Sequence, residues 1–394
     1  LRTNSIQAGF SRSTPIEASA DNGLTFIATL DNPLPKGLLP VLGAGQGLET
    51  TLGQGTAFFA KDRKAPYAQR WSFGLQQQLP ASFMVEASYV GNRNTRLGVT
   101  RDLTFMPAQY LSTKPYRDQP TIDYLSANFP SPYFGLNPQF TSSTISRGAL
   151  LGQYPHFSNV QFNDPVGYSW YHSLQTRMEK RFSKGYTLQM AYTWSKAMEA
   201  TAFLNASDPM PYESLADIDR RHRLTGSGIW EMPFGKGRKF GARMHPALEF
   251  FAGGWQLSGI YQRQSGQPIG FGQALFIGDS STIVLPSNVR NVGRWYNTSV
   301  FNRNTREQLA SNIRTAPLRY SSIRNDCQRR WDFSAKKTFR IDERFSTVFR
   351  ADTFNAMNEV VLRGPNNTPT NSAFGTITGQ EPPRSWQFSL TLVF

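Results

Sequence analysis

The chain has 394 residues, 13% of them aromatic, with 32 Gly and 25 Pro; its mean hydropathy of −0.44 and the lack of any apolar run near ~18 residues exclude a transmembrane helix, but not membrane-spanning strands, which need only alternation over about 9–11 positions. The net charge of +15 would suit nucleic acid, lipid headgroups or an anionic cargo, and because the basic residues are spread along the chain, no nucleic-acid partner is expected. The single cysteine, Cys327, excludes an internal disulfide and disfavours a Cys-based zinc site.

The chain opens Leu1-Arg2-Thr3-Asn4, with neither an initiator Met nor a signal peptide, and reads as a cut within a longer protein. Residues 1–60 should be mostly loop, with one or two strands. Gly43-Ala44-Gly45-Gln46-Gly47 matches a phosphate loop in glycine count alone; it lacks the Lys-Ser/Thr and the strand-to-helix setting.

From about residue 69 the sequence alternates with a period of two, the mark of half-buried strands. Residues 70–79 set Trp71, Phe73 and Leu75 against Ser72, Gln76 and Gln78, and 83–90 set Phe83, Val85, Ala87 and Tyr89 against Glu86 and Ser88. Residues 168–182 put Trp170, Leu174, Met178 and Phe182 on one face and Ser173, Gln175, Arg177, Glu179 and Arg181 on the other. The link Ser183-Lys184-Gly185 reads as a tight hairpin needing φ > 0. In 186–194, Tyr186, Leu188, Met190, Tyr192 and Trp194 oppose Thr187, Gln189, Ala191 and Thr193. Segments 221–231 (Leu224 and Trp230 against Arg221, Arg223, Thr225 and Ser227) and 255–264 (Trp255, Leu257 and Tyr261 against Gln256, Ser258 and Gln262) repeat the pattern. So do 330–339 (Trp331, Phe333 and Phe339 against Asp332, Ser334 and Lys336) and 344–354 (Phe345, Phe349 and Ala351 against Arg344, Ser346, Arg350 and Asp352). The chain closes with Trp386, Phe388, Leu390, Leu392 and Phe394 on one face of 384–394.

Connections alternate as well. Short links at 79–82, 183–185 and 340–343 and an intermediate one at 232–254 alternate with long ones at 91–167, 197–220, 265–329 and 355–383. Short periplasmic turns and long extracellular loops are the layout of an outer-membrane barrel. The rival is a soluble β-sandwich. Against it stand segments longer than the usual five or six residues and charges on the second face in strand after strand. Aromatics at the ends of the apolar face also match the girdles at two lipid interfaces: Trp71, Trp170, Phe182, Tyr186, Trp194, Trp230, Trp386 and Phe394. The expected fold is all-β: an antiparallel meander of about 10–12 transmembrane strands, each antiparallel to the next, here an open or partial barrel.

Several stretches resemble the Oar-like TonB-dependent receptors. They are Pro66-Tyr67-Ala68-Gln69-Arg70-Trp71-Ser72-Phe73-Gly74 with Leu79-Pro80; Tyr171-His172-Ser173-Leu174-Gln175 through Lys180-Arg181-Phe182-Ser183-Lys184-Gly185; and Ala191-Tyr192-Thr193-Trp194-Ser195-Lys196. Asp219-Arg220-Arg221-His222-Arg223, Met232-Pro233-Phe234-Gly235 and Gly253-Gly254-Trp255-Gln256-Leu257-Ser258-Gly259 also fit. The resemblance covers most of 60–394. It implies the C-terminal part of a barrel of about 22 strands in the outer membrane of a Gram-negative-type bacterium, energised for uptake of a ligand. Signal peptide, plug and TonB-contacting region would lie upstream, so contact with the TonB complex would be made by parts this chain does not carry. The last strand, ending at Phe394, resembles the signal read by the barrel-assembly machinery. The alternative is a surface adhesion or scaffold barrel whose long loops bind partners.

Neither an enzyme site nor a cofactor is expected. His156, His172, His222 and His245 have no metal-ligand spacing. Asp217 and Asp219 are too few for a Ca²⁺ site, and Cys327 has arginines nearby but no catalytic signature. The functional candidates are charges expected to face the lumen: Arg177, Glu179, Arg181, Arg223, Asp332, Lys336, Arg350 and Asp352. They are expected to pair mostly with one another and with a plug.

Overall fold

The computed structural model describes residues 14–394 apart from Pro15, Ala20, Asn22, Leu42, Ala44, Gln46, 48–50, Arg63, Pro138 and 341–343. Parts of three expectations therefore lie outside the described residues: the loop at 1–60, the glycine stretch at 43–47 and the turn at 340–343. In chain order the strands are β1 (Gly55–Phe59), β2 (Tyr67–Leu79), β3 (Phe83–Asp102), β4 (Asn128–Pro130), β5 (Thr144–Ser146), β6 (Asn159–Ser183), β7 (Tyr186–Ala200) and β8 (Ser214–Leu215). There follow β9 (His222–Glu231), β10 (Trp255–Gln264), β11 (Pro268–Ile269), β12 (Tyr320–Arg324), β13 (Gln328–Arg340), β14 (Ser346–Phe354) and β15 (Ser385–Val393). No described helix is long and apolar enough to cross a membrane.

One 11-stranded sheet dominates. Nine of its strands lie side by side in the order β2-β3-β6-β7-β9-β10-β13-β14-β15, every neighbouring pair antiparallel. They are the nine alternating segments of the sequence. The sheet is open, with β2 at one end and β15 at the other. Off this meander, β1 pairs with β6 in parallel, Gly55 opposite Asn159 through Phe59 opposite Asn163. The reason is an open edge. β7 accompanies β6 only as far as Ala200 opposite Tyr168, and the rest of β6 has unpaired backbone groups that a passing segment can satisfy.

Side chains of residues paired across neighbouring strands share a face, so the register divides the sheet into two surfaces. One row runs Leu75, Ala87, Thr176, Tyr192, Leu224 across five strands. The adjacent row on the other surface runs Gln76, Glu86, Arg177, Ala191, Thr225, Gln262, Arg330. Flat packing of the apolar surface needs a glycine at Gly91: a Cβ there would lie 2.2 Å from the Trp71 ring, which covers it. The β6–β7 turn is built on Lys184 at φ 53° and Gly185 at φ 84°, the left-handed pair that matches the twist of a two-residue hairpin.

Two lysines depart from the apolar pattern near the short-turn ends. Lys180 is 1% exposed; its Nζ donates to the Ser183 hydroxyl at 2.7 Å and carbonyl at 3.0 Å and sits 3.8 Å from the centre of the Tyr186 ring. Lys337 Nζ donates to Gly253 O at 2.6 Å and Glu249 O at 3.1 Å, at the C-terminal end of a short helix, Pro246–Ala252. Carbonyls that end a helix carry partial negative charge. Each stem covers apolar surface while the ammonium bends into a polar turn.

The main cluster of buried apolar side chains lies not in the sheet but in the long loops. Ile269, Phe271, Ile283, Trp295, Tyr296, Phe301 and Ile323 from the β10–β13 connection pack with Phe374 and Ile377 from the β14–β15 connection. Rings of Phe271 and Phe301, and of Phe301 and Phe374, stand 4.9 Å apart.

Candidate functional site

Seven of the eight charged candidates share the polar surface of the sheet, but they do not form one cluster. Arg177 donates to Glu179 at 2.7 Å and lies opposite Glu86 on β3. Four strands away across the sheet, Asp332 accepts from Arg330 Nε at 2.7 Å and from the Asn355 amide at 2.8 Å. Arg350 Nε donates to Asp352 at 2.8 Å, and Lys336 stands directly across from Arg350, a like-charge pair that the neighbouring carboxylate compensates. The ion pairs are therefore mainly between residues two apart on one strand. Arg223 stands alone between Thr193 and Gln264. Arg181 falls, with Phe182, in the irregularity between Lys180 and Ser183, so the ladder register does not orient it.

The aromatic candidates form two bands. Tyr186 is opposite Trp230 beside the short turns. Trp71, Trp194 and Trp386 lie nearer the long loops, Trp194 opposite Leu174 and His222 and Trp386 opposite Thr353. Trp170 comes two residues before His172 on β6, nearer the long loop, and stacks on Tyr168 at 5.8 Å. Phe394 follows the last paired residue, Val393, and is 90% exposed.

The loops are held by polar anchors. Asp219 is 1% exposed; Arg324 donates to it at 2.6 Å, and the Ala197 amide donates at 2.7 Å. Arg319 donates to Glu199 at 2.8 Å and to Leu215 O at 2.8 Å. These contacts join the β7–β9 loop to the β10–β13 loop, and they give the Asp219-Arg220-Arg221 stretch a role that spacing alone did not reveal. Asp118 is buried and accepts from Lys114 Nζ, the Thr121 hydroxyl and the Ser112 hydroxyl at 2.7–2.8 Å. The Lys114 bond, with the two hydroxyls, lowers its pKa to about 2. Asn312 donates to Lys114 O and Tyr116 O, joining the β3–β6 loop to the same unit. Tyr296 is fully buried, its hydroxyl donating to Asn366 O, and burial raises its pKa. A cavity of about 510 Å³ lies where three loops meet, lined by Asp217, Gln267, Arg314, Arg319, Asn325 and Asn367 among others. The signal for this unit was present in the sequence as five aromatics at 271–301, but no period marks them. Among the described residues no group of His, Cys, Asp and Glu could hold a metal ion.

A family model described as an outer membrane beta barrel domain matches residues 2–387. The chain belongs to the outer membrane β-barrel family. It is thus an outer-membrane protein, and its open sheet is part of a barrel wall. No curated protein matches this barrel chain. Among solved structures the barrel is similar to the outer membrane transporter YddB from Escherichia coli, at 10% identity and a TM-score of 0.46, over 87% of this chain and 34% of that one. It is also similar to the FrpB iron transporter from Neisseria meningitidis, at 10% identity and a TM-score of 0.40, over 86% of this chain and 33% of that one. The barrel chain spans about a third of the length of these two transporters.

Proposed function

We propose that this chain is the barrel portion of an Oar-like TonB-dependent receptor that takes up an unidentified ligand, with its apolar sheet surface against lipid and its charged surface lining the lumen. The observation that carries this reading is the two-sidedness of β7 and its neighbours. Tyr186 and Trp194 bracket an apolar span of roughly 27 Å along the strand at the usual rise per residue, which at the about 35–45° tilt of barrel strands covers about 20 Å of the ~25 Å apolar band of an outer-membrane barrel. The opposite surface carries hydrogen-bonded ion pairs, which suit a watery or plugged interior and not a packed apolar core. In this reading Arg177, Glu179, Arg223, Asp332, Lys336, Arg350 and Asp352 face the path of the ligand or a plug. Energy coupling belongs to a plug and TonB-contacting segment, which the family resemblance implies.

The test uses cells that express the full-length protein from its own gene, compared with a deletion strain. Depletion of solutes from the medium is followed by mass spectrometry, with and without a protonophore. Uptake of at least one solute should fall on deletion, and to the same extent with protonophore. Unchanged depletion would sink the transport reading. The folded loop unit supports a second reading, a barrel whose outer surface binds a partner; loss of surface attachment on deletion, with normal uptake of every solute, would favour it.

In the same reading the last strand contacts the barrel-assembly machinery. Deleting Phe394 should lower outer-membrane abundance of the full-length protein by more than the loss of one aromatic that lipid would remove from water, roughly 1.5–3 kcal/mol, would explain. Heat-modifiable gel mobility, with deletion of Asn366 as the loop control, measures it; normal assembly without Phe394 would remove the signal role.

A further inference from the structure

We infer that the apolar surface of the barrel carries, along its long-loop rim, a binding site for the phosphate groups of an outer-leaflet glycolipid. The inference rests on the assignment of this surface to lipid, and it is independent of whether the protein transports anything.

Basic and imidazole side chains form a continuous line across neighbouring strands at this rim. Arg93 on β3 is diagonal to His172 on β6, since Arg93 pairs with Trp170 and His172 with Gly91. His172 is directly opposite Lys196 on β7. Lys196 is diagonal to His222 on β9, whose pair is Trp194, and His222 is diagonal to Arg263 on β10, whose pair is Leu224. Direct neighbours in such a ladder stand about 5 Å apart and diagonal ones about 7–8 Å. All five side chains are on the apolar surface and exposed.

Their chemistry points to an anion. Arg93, Lys196 and Arg263 make no ion pair among the described residues, whereas Arg329, opposite Arg263, pairs with Glu359 at 3.1 Å. Of the acids nearby, Glu213 is engaged by the Tyr168 hydroxyl at 2.6 Å. Both imidazoles are held in place: the Tyr89 hydroxyl meets His172 Nδ1 at 2.6 Å, and the Tyr192 hydroxyl meets His222 Nδ1 at 2.8 Å. Each ring also stacks on its tyrosine, at 6.1 and 6.2 Å. Beside this line a concavity of about 400 Å³ is lined by Tyr89, His172, Leu174, Trp194 and Lys196, and it reaches inward to the Asp219–Arg324 ion pair.

The depth is what selects the ligand. On the same strands, toward the short turns, Trp194 and Tyr261 lie two residues from Lys196 and Arg263 and Tyr89 four from Arg93, with Trp71 opposite Gly91. Barrel strands tilt by about 35–45°, so the line of cations, which steps toward the short turns from β3 to β10, keeps one depth just outside these aromatics, the level at which a membrane interface sits. Cations immediately outside an aromatic belt meet headgroups and not acyl chains. The long loops mark this end as the extracellular one, so the headgroups are those of the outer leaflet. A flat row of arginine, lysine and histidine spread over five strands fits several phosphates on a large headgroup, not one small ion.

The full-length protein, purified in detergent, is tested for retention of diphosphorylated lipid A and of the same lipid stripped of its phosphates. Wild type is compared with a triple variant, Arg93→Gln, Lys196→Gln and Arg263→Gln, and with a control, Lys236→Gln and Lys239→Gln, at the short-turn end. Retention of the phosphorylated lipid should fall on the order of a hundredfold in the triple variant, from the ~1 kcal/mol that each of the three surface cations contributes near anionic lipid. The control should match wild type, and the stripped lipid should be retained equally weakly by all three. Equal retention of the phosphorylated lipid by wild type and triple variant overturns the site, as does equal retention of both lipids by wild type. Insertion of wild type and variant into phosphatidylcholine vesicles, followed by heat-modifiable mobility, is measured in parallel. Failure of wild type to insert would overturn the lipid-facing assignment itself, and a triple variant that inserts normally shows that its loss of lipid is not a loss of fold.

Discussion

Replacing Asp219 with Ala should undock the β7–β9 loop from the β10–β13 loop, at a cost of about 3–5 kcal/mol, because it leaves a buried guanidinium without its partner. The Asp219 carboxylate accepts from Arg324 at 2.6 Å and from the Ala197 amide at 2.7 Å. Arg324 is itself shielded, with 15% of its side chain exposed, and its Nε already lacks a hydrogen-bond partner. Asp219→Asn keeps an acceptor for Ala197 and removes the charge, so its effect should fall between. Limited trypsin digestion of the full-length protein reads the result directly, since Arg220, Arg221 and Arg223 flank the anchor. Cleavage there should accelerate in Asp219→Ala with the barrel still heat-modifiable; an unchanged digestion pattern would show that the ion pair does not hold the loop.

The second large effect is expected in the wall. Met190→Arg should destabilise the folded barrel by about 2–4 kcal/mol, the scale for a cation near the bilayer midplane. Met190 sits midway along the paired part of β7, opposite Met178 and Gly226 on the apolar surface, too far from either end for an arginine to reach headgroups easily. Gln189→Arg, one residue away, places the charge on the other surface opposite Glu179 and Ser227 and should cost much less. Urea unfolding of the full-length protein in phosphatidylcholine vesicles compares the two. Equal losses would mean that the surfaces have been assigned the wrong way round.

The wall was legible in the sequence because a period of two is enforced wherever one surface meets lipid and the other does not. All nine alternating segments became neighbouring strands. Their outer limits were not legible. β3 runs to Asp102 and β6 begins at Asn159, well past the alternating stretches at 83–90 and 168–182. Past the aromatic band Asn92, Arg93, Asn94 and Thr95 still pair with β6, but where neither surface has to be apolar nothing enforces the alternation. Lys180 and Lys337 broke the pattern for the opposite reason: each reaches a turn whose carbonyls replace water, which a count of apolar positions does not register. The loop core was hidden because Phe271, Tyr296, Phe301 and Phe374 are brought together by tertiary contact and not by any repeat. The charges were found one by one, while their division into two groups depends on the strand order. The Tyr89–His172 and Tyr192–His222 pairs depend on register across strands far apart in sequence, which no local pattern contains.

The loop core also sets an order of events. Phe271 and Phe301 gain their partner Phe374 only when the β14–β15 connection docks on the β10–β13 connection, because the two loops hold different parts of the core. Until then the β10–β13 connection has its aromatics but not the ring that closes over them, and Tyr296 lacks the Asn366 carbonyl that takes its hydroxyl. Ordering contacts between distant segments is slow, since the entropy of closing the intervening chain comes first. The outer unit therefore matures after the strands beneath it, and its completion acts as a clasp across β10, β13, β14 and β15: once the rings interlock, no one of these hairpins can leave the wall without opening the unit above.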